Sequence, residues 1–159
     1  MGIRPLDDGD ALLLRLATWW NLNWSGERFT VAQLDADPHL AAYYRRPPQF
    51  GFVSTTGDVP TGVVWVTLFP PEAPGYGFVR AGVPELSVCV LPGYRGAGLG
   101  ADLVGAAVAE ARRRRLPAVG LSVEDGNPAR RLYARSGFAP APAAADPGTL
   151  VLELGPPPD

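Results

Sequence analysis

The chain of 159 residues has few of the groups that most often carry metal, redox or nucleophilic chemistry. It has one cysteine, Cys89. That excludes an intrachain disulfide, a cysteine zinc cluster and a dithiol redox pair. It has one histidine, His39, which stands alone and reads as a satisfied or solvated side chain rather than a base or a ligand. No metal is expected. The chain also lacks an excess of positive charge: its formal net charge is -2. A clustered basic face of the kind that binds nucleic acid is therefore not expected, nor is a polybasic membrane patch. Asp7, Asp8 and Asp10 stand where a signal peptide would need basic residues and then an apolar run. No apolar stretch approaches the length of a membrane span. The expectation is a cytoplasmic protein with no nucleic-acid and no membrane partner.

The residues that are present suit one ordinary domain. An apolar share of 47% supports a buried core, and 19% charged residues argues against a disordered acidic or basic tail protein. A single domain is expected over residues 1–155, with 156–159 as a disordered tail. The 19 glycines and 18 prolines accompany many alanines and arginines, a pattern of GC-rich coding that says little about function.

Hydrophobic periodicity and turn residues give the elements. Ile3–Leu6 reads as a strand. A helix follows, capped by Asp8 or Asp10, with Leu12, Leu13, Leu16 and Trp19/Trp20 at helical spacing. A second helix begins at Thr30, with Gln33 completing a capping box, and Pro38 is a point of interruption. Phe50–Ser54 and Thr61–Phe69 read as a hairpin with a loop of five or six residues. Residues 70–82 are an irregular Gly/Pro loop, and Glu85–Leu91 is a strand. Leu99 to about Arg114 is the clearest helix, with Leu99, Leu103, Ala106, Ala107 and Ala111 on one face. Pro117–Val123 is a strand. Asn127 caps a helix with Pro128 at its first position and Gly137 at its end. Phe138–Ala139 and Thr149–Leu154 are closing strands. The order β-α-α-β-β-β-α-β-α-β-β fits an α/β (α+β) fold. Its sheet is mixed and mostly antiparallel, with flanking helices.

The chemistry concentrates in Pro92-Gly93-Tyr94-Arg95-Gly96-Ala97-Gly98-Leu99-Gly100-Ala101, which joins a strand to a helix. Alternate glycines let backbone N–H groups approach an anion, and the helix N-terminus adds roughly half a positive charge. Arg95 adds a planar, permanent cation. Lysine is absent from the chain, which excludes a Walker A loop. Gly96, Gly98 and Ala101 formally satisfy a dinucleotide fingerprint. That motif, however, should open a βαβ unit near the start of a domain, with an acid about 20 residues on. Here Glu124 lies 28 residues beyond Gly96.

The loop has company. Val88-x-Val90-x-Pro92-x-x-Arg95-Gly96-x-Gly98-Leu99-Gly100, with Asn127-x-Ala129-x-x-Leu132-Tyr133-x-x-x-Gly137-Phe138 27 residues after it, resembles the GCN5-related N-acetyltransferase (GNAT) family. The resemblance is tight over 85–138 and follows the whole chain in element order. It implies a sheet split between its fourth and fifth strands, with acetyl-CoA in the split as acyl donor. It implies that the backbone of Val88, Cys89 and Val90 pairs with the pantetheine arm. Arg95, Gly96, Ala97, Gly98, Leu99, Gly100 and Ala101 would hold the pyrophosphate. Asn127 would bond the pantetheine, with Arg130 and Arg131 toward the 3′-phosphate. Tyr133 would stand near the sulfur as the acid for the leaving thiolate.

For the base, Glu85 starts the strand and shares a face with Ser87 and Cys89. A solvated strand-end carboxylate is the alternative. Another branch of the family carries its glutamate where this chain has Ser122, and Glu124 is the nearest acid there. Trp24 and Phe29, within an aromatic stretch that includes Trp19, Trp20, Tyr43 and Tyr44, are the candidates for an acceptor site, against a core role. The acceptor is a small-molecule amine or a protein N-terminus, and a homodimer stays open. A non-catalytic acyl-CoA sensor and a dinucleotide-binding protein are the rival functions. Arg112–Arg115 lie roughly 20 Å from the phosphate end of their helix and read as solvated cations.

Overall fold

The computed structural model describes residues 2–144 and 146–155. The expected tail at 156–159 lies outside them. Strand β1 (Gly2–Pro5) leads into a 3-10 turn, Asp8–Asp10, and helix α1 (Ala11–Leu22). Short helices α2 (Val31–Ala36) and α3 (Pro38–Arg45) follow. Then come β2 (Phe50–Thr56), β3 (Val59–Thr67), β4 (Glu85–Val90), α4 (Leu99–Arg113) and β5 (Ala118–Ser122). The chain closes with α5 (Ala129–Arg135), β6 (Ala139–Pro140) and β7 (Thr149–Glu153). One seven-stranded sheet runs in the order β1-β2-β3-β4-β5-β7-β6. Its pairs are antiparallel except for β4 with β5.

Local chemistry accounts for the helix ends. The Thr30 hydroxyl accepts from Gln33 N–H, and the Gln33 side chain accepts from Thr30 N–H, closing the expected capping box. Pro38 does not kink this helix but starts the next one, where Asp37 caps the N–H groups of His39 and Leu40. At α1 the expected cap is corrected. Asp7 caps the 3-10 turn, while Asp10 makes no cap bond to α1 and instead binds Arg4 through two contacts of 2.8 and 2.9 Å.

The buried face of α1 also differs from the expected one. Leu12 is 76% exposed and Leu16 41%, whereas Leu14, Ala17 and Thr18 are buried. With Leu12, Leu13 and Leu14 in a row, spacing alone cannot select a face. The small Ala17, and Thr18 whose hydroxyl bonds back to Leu14 O, let α1 lie close on the sheet. The β2–β3 hairpin is tighter than expected, since β2 runs to Thr56 and only Gly57-Asp58 separates the strands. Gly57 sits at φ 58, the backbone that a two-residue turn demands.

The sheet packs helices on both faces. On one face α1 places Leu14 and Ala17 against Val53, Val63, Trp65 and Cys89. On the other, α4 places Leu103, Val104, Ala107 and Ala111 against Phe50, Val64, Val66, Leu86 and Val88, and Tyr133 and Phe138 join that cluster. Val104 takes the inward place expected of Ala106, which is only half-buried. No helix of the described residues is long and apolar enough to cross a membrane.

Candidate active site

The site lies where the sheet opens. Strands β4 and β5 share a single register pair, Glu85 with Gly120, where Gly120 N–H donates to Pro84 O at 2.9 Å. Beyond that point β4 continues to Val90 along β3 alone. Strand alternation assigns the free groups. Leu91 N–H bonds to Thr61 O of the β3 side, and Pro84 O bonds toward β5. Odd-numbered residues of β4 therefore direct their backbone groups to β3, and even-numbered ones to the gap. Val88 and Val90 thus present N–H and C=O groups to the split. Cys89 does not: its backbone is turned to Val63, and it contributes its side chain alone. In this state Arg95 Nε donates to Val90 O at 3.1 Å, which fixes the guanidinium at the rim.

A cavity of about 640 Å³ fills the split. One end is formed by the glycine loop. Gly93, Gly96 and Gly98 have φ of 91, 85 and 81, so three left-handed residues turn the chain into α4 without side chains in the way. The first intrahelical bond is Asp102 N–H to Gly98 O, and no side chain caps the helix. The N–H groups of Leu99, Gly100 and Ala101 are thus left for an outside acceptor at the positive end of a 15-residue helix. Arg95, Gly96, Gly98, Leu99 and Gly100 line the cavity, whereas the side chains of Ala97 and Ala101 do not. Asn127 lines the opposite wall. Its Oδ1 accepts from Ala129 N–H at 3.0 Å, so this bond consumes the oxygen and leaves the amide donors. The exposed Arg130 and Arg131 lie on the first turns of α5.

Tyr133 and Glu85 both line the cavity. Tyr133 is 9% exposed on α5, and burial pushes its hydroxyl up to about 12, with the nearby Cys89 adding to the rise. Glu85 is 4% exposed at the start of β4. Burial lifts its carboxyl from 4.5 to about 7, against bonds from the Tyr43 hydroxyl and from Gly77 N–H at 2.9 Å. It is therefore not a solvated strand-end acid. Burial also pushes the Cys89 thiol up to about 11, which removes it as a nucleophile at neutral pH. Glu124 stands at the rim, paired with Arg28 at 2.7 Å.

The loop from Pro70 to Pro84 is pinned rather than free. Tyr76 N–H donates to the Tyr43 hydroxyl, Gly77 N–H to Glu85, and the Thr149 hydroxyl to Tyr76 O. A Cβ on Gly77 would lie 2.8 Å from the Glu85 carboxyl carbon and 2.6 Å from the Leu121 backbone, so only glycine fits beneath it. Tyr43 and Tyr76 are the residues that sequence reasoning did not assign to Glu85, because α3 and the loop reach it only through the fold.

Trp24 lines the cavity, with its indole N–H buried and unpaired among the described residues. Phe29 does not. Its N–H is held by Asn23 and its carbonyl by the Trp19 indole, which fixes the α1–α2 connection outside the cavity wall.

The fold has counterparts in known proteins. A family model described as Acetyltransferase (GNAT) family matches residues 14–138. The chain belongs to the GNAT acetyltransferase family. No curated protein matches. Among solved structures, a putative acetyltransferase from Salmonella typhimurium with its cofactor acetyl-CoA is 24% identical at TM-score 0.68, covering 100% of this chain and 98% of that one. A GNAT family acetyltransferase from Brucella melitensis in complex with acetyl-CoA is 21% identical at TM-score 0.65, covering 99% and 90%. A ribosomal-protein-alanine N-acetyltransferase from the same organism is 21% identical at TM-score 0.65, covering 97% and 100%. The seven-stranded sheet with its parallel β4–β5 pair is the fold these structures share.

Proposed function

We propose that this protein transfers an acetyl group from acetyl-CoA to a primary amine by direct attack in a ternary complex. The observation that carries the reading is one cavity lined by an open β4 edge, an uncapped helix N-terminus, a buried carboxyl and a buried phenol. The pantetheine amides would extend β4 through Val88 and Val90, with Asn127 donating from the far side. The diphosphate would sit on residues 95–101, bound mainly through backbone N–H groups. Arg130 and Arg131 would face the 3′-phosphate.

Glu85 takes the proton of the amine, directly or through a water. The nitrogen attacks the thioester carbonyl, the new C–N bond forms and the C–S bond breaks. Tyr133, still protonated at neutral pH, supplies the proton to the sulfur. A carboxyl that titrates near 7 suits a general base working near neutrality. Trp24 lines the acceptor side.

The test is thiol release from acetyl-CoA with a panel of amines, alongside acetyl-CoA binding by calorimetry. Glu85→Gln should lower kcat by about 100-fold or more while the dissociation constant for acetyl-CoA stays unchanged. Tyr133→Phe should lower kcat by about tenfold or more. Acetyl-CoA binding without thiol release for any amine would instead mark a sensor of the same fold.

A further inference from the structure

The acceptor end of the cavity is built from flat apolar faces and carries almost no positive charge. Trp20 and Trp24 come from α1 and its C-terminal end, Tyr43 from α3, Trp65 from β3 and Tyr76 from the pinned loop. Tyr43 and Tyr76 lie nearly parallel, 10° apart in plane with centroids at 6.4 Å. The Trp65 indole N–H is already committed to Tyr43 O at 2.8 Å, while the Trp24 indole N–H is without a partner among the described residues. Among the described residues lining the cavity, the acids are Glu85 and Glu124, and the one cation is Arg95. Arg95 belongs to the phosphate end, where it is tied to Val90 O. Arg28, near the rim, is tied to Glu124.

From this placement we infer that the acceptor is an aromatic or arylalkyl primary amine with no carboxylate next to its nitrogen. The inference rests on the acetyltransfer reading and deepens it. An ammonium group entering among ring faces toward the Glu85 carboxyl is attracted by both. Glu85 then meets it at the floor. A carboxylate on the adjacent carbon would have to lie beside buried Glu85 with no cation to offset it, at a large desolvation cost. A polycation such as spermidine would need further acids along its length, and this wall offers rings instead. A peptide N-terminus would bring a run of amides, and of the Trp65 and Trp24 indole N–H groups only that of Trp24 is free to meet one.

The experiment uses the unmodified protein with matched acceptors: phenethylamine against phenylalanine, tryptamine against tryptophan, with spermidine and an alanyl peptide in parallel. Thiol release gives kcat/KM for each, and calorimetry gives acetyl-CoA affinity separately. Each arylalkylamine should exceed its amino acid by about 100-fold or more, the size expected for an uncompensated buried charge. Each should also exceed spermidine and the peptide. Trp24→Phe should retain this preference, while Trp24→Ala should raise KM for tryptamine and leave acetyl-CoA affinity unchanged. Equal or better turnover of phenylalanine, spermidine or the peptide would overturn the inference and leave acetyltransfer standing. Acetyl-CoA binding with no turnover of any amine would overturn both.

Discussion

At the scale of single residues, Glu85, the proposed base, would tie chemistry to stability. Its folded-state titration near 7 lies above the ordinary 4.5, so the folded chain holds this proton more tightly than the unfolded chain. The stability it contributes is full below about 4.5 and is lost as pH rises through about 7. The loss amounts to roughly 3 kcal/mol, from 1.36 kcal/mol per unit. Glu85→Gln keeps an acceptor for Gly77 N–H and has no charge to bury. Urea unfolding should therefore show the variant gaining on the parent between about pH 5 and pH 8; a gap that closes with pH would contradict the burial of this charge. The same titration should appear in kcat/KM as a rise through about 7, with no fall from Tyr133 until about 12. Glu85 was legible in the sequence from its place at the head of a strand and its face shared with Cys89. Its burial was not, because Tyr43 and Gly77 arrive from other elements. Phe29 was misread for a related reason: an aromatic residue near a site looks the same in sequence whether its ring or its backbone does the work.

At the scale of elements, the passage from β4 into α4 was the most legible part of the chain, since Gly96 and Gly98 have few other uses than the left-handed turns observed. Gly98→Ala forces a Cβ into φ 81, at about 1–2 kcal/mol of backbone strain, and moves the first N–H groups of α4. Calorimetry should show CoA affinity falling by about tenfold. Gly105→Ala is the matched control. Its Cβ meets nothing within 4 Å on the same helix, so it should raise stability by up to about 1 kcal/mol and leave CoA affinity alone. Equal loss in both variants would detach the helix start from CoA binding. Capping chemistry was read correctly at Thr30, where the spacing is specific; Asn127 does bond Ala129 N–H, but the helix begins at Ala129, with Pro128 rather than Asn127 at the cap position. It was misread at Asp8 and Asp10, where four closely spaced polar and glycine positions allow several turns. The face of α1 was lost for want of contrast in a leucine run.

At the scale of the whole molecule, element order was legible from periodicity, while strand order was not. Nothing local tells β5 to lie beside β4 or β7 to enter between β5 and β6; the split came through family resemblance. That split has a mechanical meaning. Strands β1–β4 form one plate and β5–β7 another, and the sheet's own ladder joins them at the Glu85–Gly120 pair. A Cβ at Gly120 would lie 2.7 Å from Gly77 O, so the pinned loop lies over that same junction. The α4 core spans both plates on one face, and a donor seated in the gap would add a second bridge between them. Amide hydrogen exchange should then slow on acetyl-CoA binding most at Gly120 and along β5 and β7, and least in the β2–β3 hairpin. Cofactor and fold would thus share one cooperative unit, in which the groups that perform the chemistry also hold the two plates together.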